Sequence, residues 1–158
     1  MRSLKKERKK WQEWIEIIQK DLEKQLKYHE IYTHYPEKDL QQEFLEFVDE
    51  CYFIQTAISV RRQIGTQKDE ISLMKLLRQL HYAAAKIDIT ELTQEMIESD
   101  IDKLNKIEDQ VGLFVDRKIA HLDRREFEQE CTIKNLERAL KTLYEIVTKY
   151  YELLYLKF

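Results

Sequence analysis

The sequence predicts an all-α fold, an antiparallel helical bundle of about five helices forming a single domain over residues 1–158. Two observations carry this. Backbone breakers are nearly absent, with two glycines (Gly65 and Gly112) and one proline (Pro36) in 158 residues, too few to turn a many-stranded sheet. Apolar residues also recur at three- and four-residue steps over long stretches, the period of a helix with one buried face. A chain of this length, 43% hydrophobic and 36% charged, can close one core of useful size. No internal repeat or low-complexity segment interrupts it.

The first helix is predicted from about Leu4 to Ile31, where Trp11, Trp14, Ile15, Ile18, Leu22 and Leu26 mark one face. It ends at Thr33-His34-Tyr35-Pro36, because proline lacks a donor and drives the preceding residue out of helical geometry. A second helix, roughly Lys38 to Ile64, carries Phe44, Phe47, Val48, Cys51, Ile54, Ala57 and Ile58. Its wide apolar arc predicts the most buried helix of the bundle. Gly65 follows and suits a left-handed helix end.

After the polar stretch Thr66–Glu70, Ser72 or Asp69 can cap a third helix with the stripe Leu73, Leu76, Leu77, Leu80, Ala84 and Ile87. A fourth helix should start near Thr90 or Thr93 and run past Val111, with Ile97, Ile101, Leu104, Ile107 or Glu108, Val111, Phe114 or Val115, and Ile119 or Leu122 on its seam. Gly112 interrupts it at a cost of about 1 kcal/mol relative to alanine, and so marks a close contact or a bend. The last helix has Thr132 as N-cap and Ile133, Leu136, Leu140, Leu143, Val147, Tyr150 and Leu154 in heptad-like steps. That seam fits the inside of a bundle or a second chain. Tyr144, Tyr150, Tyr151 and Tyr155 exceed what one narrow seam buries, so some can face a partner.

Several function classes recede on composition. A net charge of −3 gives no bulk attraction to nucleic acid, so any anion site is local. Cys51 and Cys131 match no metal-ligand spacing and fall on apolar patterns, which predicts two buried, reduced thiols. The basic start, Met1 to Lys6, runs into a charged amphipathic stretch, and no run approaches the ~18 apolar residues of a membrane span. A cytoplasmic chain without membrane or cofactor is expected.

Weaker signals have plain readings. Lys5 to Lys10 followed by Trp11 and Trp14 fits a nucleic-acid or membrane-surface element, or a solvated first turn with both indoles in the core. His29 and His34 straddle a turn without the partners of a metal site. Glu91, Glu95, Glu98, Asp100 and Asp102 read as a solvated acidic face, since no Glu-x-x-His accompanies them.

The densest chemistry lies in Val115-Asp116-Arg117-Lys118-Ile119-Ala120-His121-Leu122-Asp123, just before Arg124-Arg125. Histidine can give and take a proton near neutral pH. Arg117 stands four residues before His121, on the same helical face. A guanidinium beside an imidazole suits phosphate-ester chemistry, one steadying charge on the phosphoryl group and the other moving protons. The same residues also fit a solvated basic helix end.

The segment Phe114 to Asp123 resembles the signature of the HEPN superfamily, helical domains of prokaryotic toxins and abortive-infection systems. It is closest in style to the abortive-infection U-type branch, approximately Arg-(Asn/Asp)-Lys-x-x-Ala-His-x-Asp. Asp116, Arg117, Ala120, His121 and Asp123 match, Arg117 standing for the lysine. Arg61-Arg62 ending a helix, then a polar loop and Ile71 to Leu77, also match in style. The resemblance implies a helical bundle, a homodimer and a metal-independent endoribonuclease within a toxin or phage-defence system, with RNA and an antitoxin protein as partners. It implies catalytic roles for His121, Arg117 and Asp116, and substrate contacts from Lys118, Asp123, Arg124, Arg61 and Arg62. The family's arginine belongs six positions before the histidine, where this chain has Val115. The alternative function is a non-catalytic helical module binding a protein or RNA.

Overall fold

The computed structural model describes residues 2–35, 41–87, 89–116 and 131–156. Among the described residues there are five α-helices and no strand: α1 (Arg2–Thr33), α2 (Gln42–Ile64), α3 (Leu73–Ala83), α4 (Gln94–Ile107) and α5 (Ile133–Leu156). The all-α bundle expected from the sequence is the fold. A 3₁₀ turn, Ala84–Lys86, closes α3. A π-helical turn, Glu108–Gly112, prolongs α4, and helical backbone continues to Asp116.

Side-chain caps fix where three helices begin. Ser72 Oγ accepts the Lys75 N–H at 3.2 Å, Thr93 Oγ1 accepts that of Met96 at 3.2 Å, and Thr132 Oγ1 that of Asn135 at 3.3 Å. Ser72 rather than Asp69, and Thr93 rather than Thr90, therefore cap their helices. Each such cap satisfies one of the donors a helix start leaves free.

Cross-helix hydrogen bonds give the directions. Gln12 Nε2 donates to the Leu154 carbonyl at 2.7 Å, while His29 lies 3.9 Å from Glu137, so α1 and α5 run antiparallel. Asp21 accepts from Arg62 and Gln63, and Asp49 accepts from Tyr32, which makes α1 and α2 antiparallel too. Trp11, Ile15, Ile18 and Leu22 of α1 meet Leu136, Leu140, Leu143, Val147 and Leu154 of α5 in one core shared with α3 and α4. The heptad-like seam of α5 is thus used inside the bundle. Trp11 is core, its indole N–H donating to Gln79, and Trp14 is half-buried with Lys10 over its ring, which leaves neither indole free to stack on a base.

Three expectations fail. The helix expected to be the most buried, α2, leaves Phe44, Phe47 and Ile58 exposed at 45%, 59% and 38%. It buries Tyr52, Thr56, Ala57, Ser59, Val60, Gln63 and Ile64 instead. An arc too wide for one interface cannot all be covered when the packed neighbours lie on one side. For the same reason Cys51 is exposed, and only Cys131 is a buried thiol. Gly65, finally, ends α2 in extended backbone at φ −62° and ψ 149°, not in a left-handed cap. Its carbonyl accepts the Ser72 hydroxyl, and the carboxylate end of Glu70 lies where a Cβ would sit, so a larger residue there would only displace that flexible side chain. Among the described residues no helix is long and apolar enough to cross a membrane.

Candidate functional site

Arg117, Lys118, His121, Asp123 and Arg124 lie outside the described residues. Of the predicted site, the structure places Arg61, Arg62, Asp116 and Val115. Arg61 and Arg62 form the last turn of α2, where positive charge is favourable against the helix carbonyl end. Neighbouring residues on a helix point about 100° apart, so the two guanidinium groups diverge. Arg62 reaches Asp21 of α1 at 3.0 Å. Arg61 reaches Asp116 on the extension of α4 with two parallel bonds, Nε to Oδ1 at 2.9 Å and Nη2 to Oδ2 at 3.1 Å. This fork-to-fork geometry fixes orientation as well as distance.

The surroundings hold that fork in place. Phe53 of α2 meets Phe114 edge-on, with ring centroids 5.8 Å apart, so the two elements are docked by aromatic packing beside the ion pair. The Asp116 carboxylate raises the Arg61 pKa against the opposing effect of burial. Glu108 lies close enough to Arg61 to feel its charge, yet burial raises the Glu108 pKa. One of its carboxylate oxygens, Oε2, is buried with no hydrogen-bond partner. Its carboxylate sits against Gly112, where an added Cβ would lie 2.7 Å from the Glu108 Cδ. Gly112 therefore marks a close approach, one of the two roles the sequence allowed it.

The π turn sets the facing of Val115 and Asp116. A π turn carries an extra residue per turn and rotates every later side chain, and such turns recur at functional sites. Here Val115 is buried at 6% exposure in the core, and Asp116 turns to α2. The position where the resembled family has its arginine presents no cation. Asp116 is held by the guanidinium of Arg61, from another helix.

One feature escaped the sequence reading: Asp100, expected on a solvated acidic face but 1% exposed. It accepts hydrogen bonds from Lys103 (2.8 Å), Lys149 and the Tyr150 hydroxyl (3.1 Å). Burial works to raise its pKa, but the two ammonium groups outweigh burial and hold the carboxyl below its usual range. The signal was present: Asp100 lies three residues after Ile97 and four before Leu104, on the buried stripe of α4. Beside it, Lys103, Lys106, Arg138 and Lys149 rim an open groove of about 540 Å³ between α4 and α5.

His29 Nδ1 is 2.7 Å from the Tyr52 hydroxyl and His34 Nδ1 2.8 Å from the Glu30 carbonyl, so both have local partners. Among the described residues no group of three or more His, Cys, Asp and Glu side chains is arranged to hold a metal ion. Comparison of the chain with protein-family models, curated proteins and solved structures returns no match.

Proposed function

We propose that this chain is a HEPN-like domain of a toxin or phage-defence system that acts on RNA at His121, with Arg61 serving in place of the motif arginine that Val115 replaces. The observation that carries this reading is the bidentate Arg61–Asp116 pair, which ties a guanidinium of α2 to the residue five positions before His121. In the proposed reaction an RNA 2′-hydroxyl attacks the adjacent phosphate. The 2′-oxygen–phosphorus bond forms as the phosphorus–5′-oxygen bond breaks, leaving a cyclic phosphate and a free 5′-hydroxyl. His121 takes the first proton and returns one to the leaving oxygen. Arg61 steadies the charge on the phosphoryl oxygens, and Lys118, Arg124 and the Lys106–Arg138 groove hold the strand by its phosphates. A cytoplasmic homodimer with an antitoxin protein as regulator belongs to the same proposal.

The test is cleavage of mixed RNA in EDTA by the full chain. Cleavage should vanish in His121→Ala and fall about 10²–10³-fold in Arg61→Gln, with Arg61→Lys recovering little, because an ammonium cannot reproduce the fork. Circular dichroism controls for folding. Equal cleavage by wild type and His121→Ala ends the proposal.

The second reading is a helical module without catalysis, and the exposed apolar face of α2 favours it. No cleavage by folded wild-type protein, with retention of a partner that binds His121→Ala equally well, selects it.

A further inference from the structure

The groove between α4 and α5 has two unlike ends. Asp100 meets Lys149 and Tyr150 across it. The other lining residues follow Asp100 along α4 but precede Lys149 along α5, so the two helices run antiparallel here. Equal rise along both then sets Lys106 beside Thr142 and Gln110 beside Ala139. At the Asp100 end the charges are already matched. That carboxylate accepts from both Lys103 and Lys149, and Glu145 lines the groove one helical turn before Lys149. At the far end Lys106 and Arg138 are exposed, and neither forms an ion pair with another described residue. The neutral donors Gln110 and Thr142 line the groove with them, and Gln110 is carried by the π turn. Two free cations on one short stretch stand out in a chain of net charge −3.

We infer that this far end binds the dianion of a phosphate monoester, carried at the 5′ end of an RNA strand. The distribution of charge selects a terminal phosphate over an internal one. A phosphodiester backbone bears one negative charge per nucleotide and repeats it along its length. A strand running down the groove would bring its next phosphates to Glu145 and Asp100, where the lysines are already taken. A terminal monoester instead gathers nearly two charges on one group near neutral pH, and Lys106 with Arg138 supplies two. The guanidinium fork can take two of its oxygens and the ammonium a third, with Gln110 and Thr142 as further donors. The groove, at about 540 Å³, is large enough to admit the first nucleotide behind that phosphate. A free nucleotide offers the same phosphate, and the test separates the two sources. Naming RNA rests on the proposed RNA activity, whereas the phosphate site stands on the groove alone.

Fluorescence anisotropy of the full chain in EDTA gives the test. The probe is a short 2′-O-methyl oligoribonucleotide with its dye at the 3′ end. It has no 2′-hydroxyl to react, so a failure of the proposed cleavage leaves the measurement untouched. The 5′-phosphorylated probe should bind about tenfold or more tightly than its 5′-hydroxyl twin. Arg138→Gln and Lys106→Gln should each cut that preference to below about threefold with unchanged circular dichroism. Lys20→Gln, at an exposed site on α1, should keep it. Unlabelled adenosine 5′-monophosphate should displace the probe only at concentrations far above those of unlabelled 5′-phosphorylated oligonucleotide. Displacement by both at equal concentration gives the site to a free nucleotide and overturns the RNA-end assignment. Equal affinity for the two probes, or a preference that persists in both variants, overturns the inference.

Discussion

Asp100 and Glu108 show how two carboxylates on one helix acquire opposite behaviour. Asp100 is buried with two ammonium groups and a phenol donating to it, whereas Glu108 has a buried oxygen that nothing reaches. The folded-state pKa of Asp100 lies below 3.8, so its stabilising contribution is present above that value and is lost as pH falls through the folded pKa. Asp100→Ala strands the Tyr150 hydroxyl in the core, while Lys103 and Lys149 can turn to water. It should cost about 2–3 kcal/mol in urea unfolding at pH 7, with the difference from wild type shrinking under acid. Glu108 has the reverse sign. Its folded pKa lies above 4.5, so the protonated native form is favoured and stability declines as pH rises through that window. Glu108→Gln should therefore raise the thermal midpoint at pH 7 by about 2–4 °C, on the order of 1 kcal/mol for a chain of this length. Below pH 4 the gain should disappear. A thermal melt series from pH 3 to 8 on both variants reads the two signs against each other.

At the scale of the element, the π turn is where residue chemistry becomes geometry. Gly112 and Glu108 face each other one turn apart, and the glycine leaves room for the buried carboxylate. Gly112→Ala places a methyl in that room, and the yielding group is the far end of a flexible side chain. The carboxylate should be displaced toward water, and its titration, followed by NMR, should return to the ordinary carboxylate range. Alanine's helix preference of ~1 kcal/mol then adds to the relief of the buried charge, and the variant should be more stable than wild type at pH 7. In a Glu108→Ala background nothing needs to move, so the same substitution should stabilise by up to about 1 kcal/mol. A double-mutant cycle measures the coupling. Five helices, the N-caps and the α5 seam were legible in the sequence because period and capping chemistry are local. The facing of α2 was not legible. Its apolar arc is wide, and which part of that arc meets α1, α3 and α5 depends on the other helices. Nor was the Arg61–Asp116 pair, since a contact between residues 55 apart requires the π turn to set the rotation of Asp116.

For the molecule as a whole, a single core binds all five helices, yet α2 leaves Phe44, Phe47 and Ile58 exposed to solvent. A strip of that kind is a liability in a monomer, since exposed phenylalanines in register invite association. If the proposed homodimer covers it, the strip becomes part of what keeps the chain folded. Stability should then depend on protein concentration by mass action, because unfolding releases two chains from one native assembly. Each tenfold dilution should remove about 1.4 kcal/mol from the dimer, lowering the thermal midpoint by ~1–3 °C. Phe47→Glu should lose this dependence entirely and melt at one temperature across the dilution series. At low concentration, where wild type has dissociated, the two proteins should melt together, since Phe47 adds little to the isolated bundle. Differential scanning calorimetry over a hundredfold concentration range makes that comparison. A wild-type midpoint that does not move with dilution would mean that α2 carries its apolar strip for some purpose other than its own twin.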